Sequence, residues 1–279
     1  MLDMRDQPAL QRSHGTARLG IVARHGRPAL ADLYQAGSAK VFLPRGGGAP
    51  DEAVFLNTSG GLTGGDRISF ALTLAPGLRL TATTQTAERA YASPGPAAAL
   101  DVDLTVGAGA RLDWLPQETI LFEGSHLRRT TRVSLAADAT CLLSETLVLG
   151  RLAMGEDVTA ARLLDRRSVL RDGRPVWSDA VTIDRESLAC RTARASLGPA
   201  RALAVIALIA PGAEDAAGAL RPLLEAPDCE TALSAWNGRL ILRLTARDSW
   251  PLKRQMARLL GQLRGSALPR VWQMNGDIA

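Results

Sequence analysis

Cysteine and histidine are scarce in this chain. Its 279 residues include three histidines and three cysteines, Cys141, Cys190 and Cys229. The cysteines are odd in number and widely spaced, with no CxxC pair, which argues against a disulfide framework and against a structural zinc site. The histidines are equally dispersed and form no HExxH motif. We therefore expect no permanent metal centre built from histidine and cysteine ligands.

Aromatic residues, lysines and long apolar runs are also rare. Only 4% of residues are aromatic, and Lys40 and Lys253 are the only lysines among 33 basic residues. The arginines are scattered among acids, so the net charge of +5 does not indicate nucleic-acid binding and favours an acidic protein partner. The longest apolar run, 202–210, is too short to cross a membrane. The first residues contain no apolar core of a secretory signal, which predicts a cytoplasmic protein.

Glycine is abundant, and its densest cluster is the most distinctive feature of the sequence. The segment 57–67, NTSGGLTGGDR, contains four glycines and one acid. Gly60 and Gly65 have the separation of a phosphate-binding P-loop, but Asp66 and Arg67 follow where that motif requires lysine and a hydroxyl residue. A carboxylate there repels phosphate, and the next residues alternate as a strand does. We interpret the segment as a glycine turn that directs Asp66 to the start of a strand.

Short strands separated by glycine and proline dominate the rest of the pattern. Alternation or β-rich composition predicts strands at 53–56, 68–74, 78–84, 100–106, 110–114, 133–135 and 239–245. The apolar run 142–149 predicts a buried strand that ends at Gly150. Strands at this spacing predict a mainly β fold, either a sandwich or a β-solenoid-like stack, and not alternating βαβ units. We treat 1–279 as a single domain, with a flexible turn at 44–50.

Helical patterns are confined to the last third of the chain. One candidate covers 214–226 and stops at Pro227. A second has Ser249 as its N-cap and ends at Gly265. Its apolar stripe consists of Leu252, Met256, Leu259, Leu260 and Leu263. We predict that this stripe packs on the sheet, with a partner-docking face as the alternative.

Motifs for ordinary catalysis are missing, whereas carboxylates are plentiful. Ser59 lies outside a GxSxG elbow, and no histidine is linked to it by a motif. The candidate acids are Asp66, Glu88, Asp113, Glu118, Glu123, Glu145, Glu156 and Asp179. Two such acids on a β-scaffold could hydrolyse a glycoside, so a β-fold hydrolase is the alternative hypothesis.

Three of these acids have unusual neighbours. Asp66 follows two glycines, Glu145 interrupts an apolar strand, and Glu118 lies between two apolar clusters. A carboxylate in such surroundings is costly to bury unless it is paired, hydrogen-bonded or close to a cation. The candidate ion-pair partners are Arg89, Arg128 and Arg151. The other interpretation is a polar path through the core, whose oxygen ligands would bind a divalent metal ion weakly enough to release it.

The glycine segment is the first of five that together resemble one protein family. It is followed by TATTQTAERAYAS at 81–93, LDWLPQETILFEG at 112–124, SETLVLGRLAMGE at 144–156 and LPRVWQM at 268–274. In this order the segments resemble the urease accessory proteins called UreD or UreH, whose members carry a GGxxGGD element near this point. The resemblance covers most of the chain, which makes it far more specific than a single glycine pattern.

The resemblance implies a function and a fold. Similar proteins are scaffolds that join apo-urease to a second accessory protein, UreF, and through UreF to the nickel-carrying GTPase UreG. They are thought to offer an internal tunnel through which nickel reaches the urease active site. The resemblance therefore implies a protein that is not an enzyme, with no permanently bound cofactor and nickel only in transit. The implied fold is an all-β helical stack of strands with two C-terminal helices.

Site residues also follow from the resemblance. The positions that match the metal path proposed for the family are Asp66, Glu88, Glu145 and Asp179. Thr84, Gln85 and Glu118 are expected beside it. In some relatives a small residue and a lysine stand where this chain has Glu88 and Arg89. Arg270 and Trp272 of the LPRVW motif are predicted to bind a partner, with core packing of Trp272 as the alternative.

Overall fold

The computed structural model describes residues 11–44, 51–193 and 196–273. The predicted turn at 44–50 lies outside these ranges after Pro44, and so does Met274 of the last motif. The single-domain assignment of 1–279 includes such residues and stays a prediction. The described ranges are mainly β with a few short helices towards the C-terminus, which confirms the predicted fold class. They contain no helix with the length and apolar composition needed to cross a bilayer.

The strands form two sheets that face each other. In chain order they are β1 (His14–Arg24), β2 (Arg27–Gly37), β3 (Ala39–Phe42), β4 (Glu52–Asn57), β5 (Arg67–Leu74), β6 (Arg79–Thr84), β7 (Glu88–Ala90), β8 (Ala98–Val106), β9 (Arg111–Trp114), β10 (Thr119–Leu121), β11 (His126–Leu135), β12 (Thr140–Leu149), β13 (Arg162–Arg171), β14 (Arg174–Ile183), β15 (Ala202–Ile209), β16 (Cys229–Trp236) and β17 (Arg239–Ala246). Sheet A has the order β14-β13-β11-β8-β5-β1-β2. Sheet B has the order β16-β17-β15-β12-β9-β6-β4-β3, with β10 paired to β12 and β7 paired to β10.

The chain winds between the two sheets as a stack of coils. In sheet A, β1, β5, β8, β11 and β13 pair in parallel in that order. In sheet B, β4, β6, β9 and β12 do the same. Each coil therefore adds one strand to each sheet, about 4.8 Å from the previous one. The antiparallel strands β14 to β17 complete the C-terminal end. This arrangement is a solenoid-like stack, one of the two alternatives that the strand spacing predicts.

Parallel register aligns equivalent residues of successive coils in rows that face the space between the sheets. One row of sheet A contains Ile68, Leu100, Arg129 and Asp165. The adjacent row contains Phe70, Val102, Thr131 and Arg167. The first coils fill this space with apolar groups, and the Phe55 ring centroid lies 5.2 Å from that of Phe70 and 5.7 Å from that of Trp114. The later coils place charges in the same rows, and this change positions the candidate site.

A second apolar core lies on the outer face of sheet B, under helix α3 (Ser249–Arg264). The predicted stripe packs there: Leu252, Met256, Leu259 and Leu260 are buried. Leu263 is only partly buried. Asp248, and not Ser249, is the N-cap, because its side chain accepts a hydrogen bond from the Trp250 N–H at 3.0 Å. The helix ends at Gly265 as predicted.

The other predicted helix, 214–226, is wrong as a continuous element. The structure has a single α-helical turn, α2 (Ala217–Leu220), between 3₁₀ turns at Ala213–Ala216 and Arg221–Leu223. Gly218 and Pro222 both lower helix propensity, which accounts for the interruption. The remaining short elements are α1 (Arg185–Ala189) and 3₁₀ turns at Leu152–Met154 and Arg270–Trp272.

Candidate functional site

A cavity lies between the sheets beside the glycine segment, and we call it the inner cavity. Its volume is about 50 Å³, which is room for a few water molecules. Its polar lining comprises Asn57, Thr84, Glu88, Gln117, Thr119, Arg129 and Glu145. One of its lining residues, Gln117, has a buried side-chain N–H group without a hydrogen-bond partner among the described residues. The inner cavity is therefore suited to water or another polar occupant.

The glycine segment shapes one side of the inner cavity. Gly61 has a φ of +151°, and a Cβ there would lie 2.8 Å from the Arg89 carbonyl oxygen, so only glycine fits. This close approach brings the segment against β7, where Asn57 Nδ2 donates to Glu88 Oε2 at 3.3 Å. The glycines thus position Asn57 and Glu88 together at the inner cavity.

Asp66, at the end of the glycine segment, is buried but does not line the inner cavity. Its Oδ1 accepts a hydrogen bond from the Ser13 backbone N–H at 2.7 Å. Its Oδ2 accepts one from the Thr63 N–H at 2.8 Å. One carboxylate therefore ties the glycine turn to the residue before β1. This geometry supports a structural role for Asp66, and its predicted contact with a metal stays a prediction.

Glu88 is the titratable group at the outer part of the inner cavity, where the exposed Thr86 and Arg89 also line it. Burial raises the pKa of Glu88 to about 7, although hydrogen bonds from the Arg89 N–H at 3.1 Å and from Asn57 lower it in part. Near neutral pH this carboxyl group is thus divided between its protonated and its ionised form.

Arg129 lines the inner cavity and contacts two carboxylates. Its Nε and Nη2 donate to Asp165 Oδ1 at 3.0 Å and Oδ2 at 2.6 Å. Its Nη1 lies 2.7 Å from Glu145 Oε2. All three side chains are almost completely buried, with exposed fractions of 3% or less. A guanidinium is stable at this depth because carboxylate oxygens satisfy its donors.

The contacts of Asp165 continue to the protein surface. Arg167 Nη2 donates to Asp165 Oδ2, and Arg167 Nη1 donates to Asp179 Oδ2 at 3.0 Å. Arg243 Nη2 then donates to Asp179 Oδ1 at 2.9 Å, and the Arg243 side chain is 57% exposed. We call this series the buried ion chain; its members are Glu145, Arg129, Asp165, Arg167, Asp179 and Arg243. Acids and arginines alternate along it.

The two innermost carboxylates of the buried ion chain differ electrostatically. Desolvation raises the pKa of Glu145, and its neighbour Arg129 offsets this only in part. Desolvation acts on Asp165 as well, but contacts with both Arg129 and Arg167 leave the pKa of Asp165 lowered. Of the two, Asp165 therefore favours its ionised form more strongly, and Glu145 accepts a proton more easily.

A second space, the outer groove, lies on the other side of the buried ion chain. It measures about 160 Å³ and is lined by residues of β12, β13, β14, β15 and β17, among them Glu145, Arg167, Asp179 and Arg243. Glu145 lines both the inner cavity and the outer groove. Glu145 is therefore the residue that the linings of the two spaces share. Among the described residues, no group of three or more His, Cys, Asp or Glu side chains is arranged to hold a metal ion.

Comparison with known proteins assigns the family. The family model described as UreD urease accessory protein matches residues 13–273. This chain belongs to the UreD family. A urease accessory protein UreD from Cereibacter sphaeroides is 53% identical over 264 residues, which cover 95% of this chain and 96% of the relative. The UreD proteins of Dinoroseobacter shibae and Paracoccus denitrificans are 52% and 50% identical, and each alignment covers at least 95% of this chain and 94% of the relative.

The structure brings some of the positions inferred from the UreD family together. Glu88, Glu145 and Thr84 line the inner cavity, and Glu145 and Asp179 line the outer groove. Gln85 lies beside Thr84, and its backbone N–H bonds to the Phe55 carbonyl oxygen at 2.9 Å. Glu118 lies farther out, where its Oε2 is 3.4 Å from the Lys253 Nζ of α3.

The two residues of the LPRVW motif differ in exposure. Trp272 is buried in the second core, and its Nε1 donates to the Leu115 carbonyl oxygen at 3.0 Å. Arg270 is exposed. Trp272 therefore has the core-packing role that the sequence left open as the alternative. Partner binding by this segment stays a prediction, for which only Arg270 is accessible.

Sequence reasoning missed the centre of the site. None of Arg89, Arg128 and Arg151 is the ion-pair partner of Glu145; Arg128 lies on the exposed face of β11, and Arg151 pairs with Glu156. The signal was the alternation in 126–135, where Leu127, Arg129, Thr131, Val133 and Leu135 share one face. This segment contains three arginines, a composition that is typical of a solvated strand, although Arg129 points inward.

Proposed function

We propose that this UreD-family chain is a cytoplasmic, non-enzymatic urease maturation factor, and that nickel crosses its core on the way to the urease active site. The observation that carries the proposal is the position of Glu145, which lines the inner cavity on one side and the outer groove on the other. Glu88 and Asp179 would be the carboxylates that the cation meets before and after it. These oxygen ligands suit a borderline metal ion that must be released again.

We further propose that the chain binds apo-urease and UreF, and UreG through UreF. Three exposed apolar groups, one of them next to the inner cavity, support a docking role. Tyr91, Leu152 and Met154 are 41%, 50% and 72% exposed. Tyr91 is linked to the cavity because its hydroxyl donates to the Gly60 carbonyl oxygen at 3.3 Å, and Gly60 lines the cavity. Exposed apolar side chains in one region are typical of protein interaction sites.

The β-fold hydrolase receives less support from this geometry. A glycosidase requires two carboxyl groups on either side of a bound sugar. The inner cavity has room for a few water molecules, and Glu145 is engaged by Arg129 at 2.7 Å. We therefore favour the passage of an ion over the binding of a sugar.

The proposal is tested by Glu145→Gln, with Glu230→Gln, an exposed glutamate of β16, as the matched control. Each variant is co-expressed with urease and the other accessory proteins, and complex recovery and the nickel content of urease are measured. Glutamine has nearly the shape of glutamate and can still accept from Arg129, so the complex should assemble. Urease should then contain less nickel with Glu145→Gln only. Normal nickel content would end the assignment of Glu145 to the path.

Asp66→Ala belongs in the same assay. Loss of this carboxylate leaves two backbone donors, of Ser13 and Thr63, without their acceptor, so we expect a less stable chain. A stable, assembled Asp66→Ala chain that delivers less nickel would instead support a metal contact of Asp66.

A further inference from the structure

A positive charge contacts the residue that the inner cavity and the outer groove share. Arg129 lines the inner cavity, and its Nη1 lies 2.7 Å from Glu145, the carboxylate that both spaces share. A cation that follows the carboxylates must therefore compete with a guanidinium for Glu145. A path for cations does not require such a competitor, so the role of Arg129 needs an explanation.

The contacts of Arg129 are divided unequally between its two partners. Nε and Nη2 make a bidentate pair with Asp165, and only Nη1 contacts Glu145. Nη1 also donates to the Thr119 Oγ1 at 2.9 Å. The guanidinium can therefore lose its contact with Glu145 and still have Asp165 and Thr119 as acceptors. Asp165 in turn is bound by Arg167 as well. Glu145 is thus the one carboxylate of this group that can change its cation while the rest stays in place.

We propose that Arg129 is the specificity-determining residue of the path. Its guanidinium group pairs with the Glu145 carboxylate until a divalent ion displaces it. The displaced guanidinium then speeds the release of that ion. The inference rests on the function proposed above. A divalent ion attracts the carboxylate more strongly than a guanidinium does, whereas a monovalent ion has no such advantage. Once displaced, the guanidinium remains a few ångströms away on Asp165, and its repulsion weakens the binding of the metal.

The charge balance predicts what removal of Arg129 does. The buried ion chain has three acids and three arginines, so Arg129→Gln leaves one negative charge in excess beside Glu145 and Asp165. Two desolvated carboxylates that have lost their shared cation form a site for a metal ion. Replacement of Arg129 by glutamine would thus turn a transient nickel contact into a site that retains nickel.

The experiment uses the complex of the chain with its co-expressed partners. Wild type, Arg129→Gln and Arg129→Lys are incubated with Ni²⁺ alone and freed of unbound metal, and then nickel content and melting temperature are measured. Arg129→Gln should retain about one more nickel ion per chain than wild type. Its melting temperature should be lowered without nickel and should recover with nickel. Arg129→Lys, which restores the charge, should retain as little nickel as wild type, and adding Glu145→Gln to Arg129→Gln should abolish retention.

Two results would overturn the inference. One is a folded Arg129→Gln complex that retains no more nickel than wild type. The other is an Arg129→Gln chain that is destabilised equally with and without nickel, because Arg129 would then be a structural ion-pair partner only. The proposed function is judged separately, by urease loading in Glu145→Gln. If Glu145→Gln reduces the nickel content of urease but Arg129→Gln retains no extra nickel, the path is supported and the proposed role of Arg129 is wrong.

Discussion

The early coils, which contain Ile68 and Leu100, and the late coils, which contain Arg129 and Asp165, share one backbone architecture. The early coils place apolar side chains between the sheets, and the late coils place charged ones there. In the row that starts with Ile68 and Leu100, the next two positions are Arg129 and Asp165. All four side chains face the same space and are buried. The early coils gain about 1.5–3 kcal/mol for each large apolar side chain removed from water. The late coils pay a desolvation cost for each charge, which the ion pairs only offset. Apolar burial therefore stabilises the early part of these rows, whereas the charges in their late part contribute little net stability.

The largest loss of stability should come from removal of Asp165, the carboxylate at the centre of the buried ion chain. Asp165→Ala leaves Arg129 and Arg167 without a shared acceptor, although both side chains are 3% exposed or less. We expect a loss of about 3–5 kcal/mol in the free energy of unfolding, because two buried guanidinium groups lose compensation. Urea unfolding of Asp165→Ala and Asp165→Asn measures it, and the asparagine, which still accepts hydrogen bonds, should lose less. A loss below about 1 kcal/mol for Asp165→Ala would show that water reaches these charges.

The matching change in the early coils is Leu112→Ala. Leu112 of β9 is completely buried between the sheets. Its truncation should lower the free energy of unfolding by about 3 kcal/mol through lost burial and a residual cavity. Leu112→Ala protein that still folds should deliver nickel to urease normally, since Leu112 is not a member of the buried ion chain. Urease nickel content per recovered complex checks this. A loss of nickel delivery as large as that of Glu145→Gln would remove the functional distinction between the two regions.

The same contrast explains how much of the fold the sequence could predict. Strands of the early coils, such as β5 and β8, alternate apolar with polar residues and were predicted with nearly correct bounds. β13, with the sequence RLLDRRSVLR, was missed because its inward side, Leu163, Asp165, Arg167 and Val169, contains two charges. A pattern of alternating apolar and polar residues assigns charged residues to the exposed face of a strand. Only the neighbouring strands, which are distant in sequence, supply the partners that make their burial possible.

The candidate site was predictable to a similar extent. Glu145 was identified because one acid interrupts a long apolar strand, and this local signal needs no partner. Arg129 and Asp165 lie 36 residues apart, and their pairing depends on the register of β11 with β13. Asp66 has the local signal of a buried acid as well, but its acceptor role for Ser13, 53 residues away, appears only in the folded chain. Local patterns identify residues that are costly to bury and do not tell what compensates them.

A smaller effect concerns pH at Glu88, at the outer part of the inner cavity. Its pKa is about 7 in the folded chain and 4.5 in the unfolded reference, so the folded state binds more protons between these values. The contribution of Glu88 to stability therefore falls as pH rises from about 4.5 to about 7. We expect this fall to be about 1–2 kcal/mol, because the side chain is only partly buried. Urea unfolding at pH 5 and pH 7.5 should show a steeper fall for wild type than for Glu88→Gln. Equal falls would indicate that Glu88 is fully solvated.

The smallest loss of stability should come from an ion pair on the outer face of β11. β11 carries Arg129 on its buried face and Arg132 on its exposed face, where Arg132 Nη1 lies 3.1 Å from Asp103 Oδ1. Both side chains of this outer pair are about half exposed, so solvent screens their attraction. Asp103→Asn should therefore change the free energy of unfolding by about 0.5 kcal/mol or less, and raising the salt concentration should reduce even that. Urease nickel content should match that of wild type. If Asp103→Asn cost as much as Asp165→Ala, the number of ion pairs and not their burial would set the energetics of the late coils. A small cost for Asp103→Asn together with a large one for Asp165→Ala would identify burial as the property that distinguishes the two faces of β11.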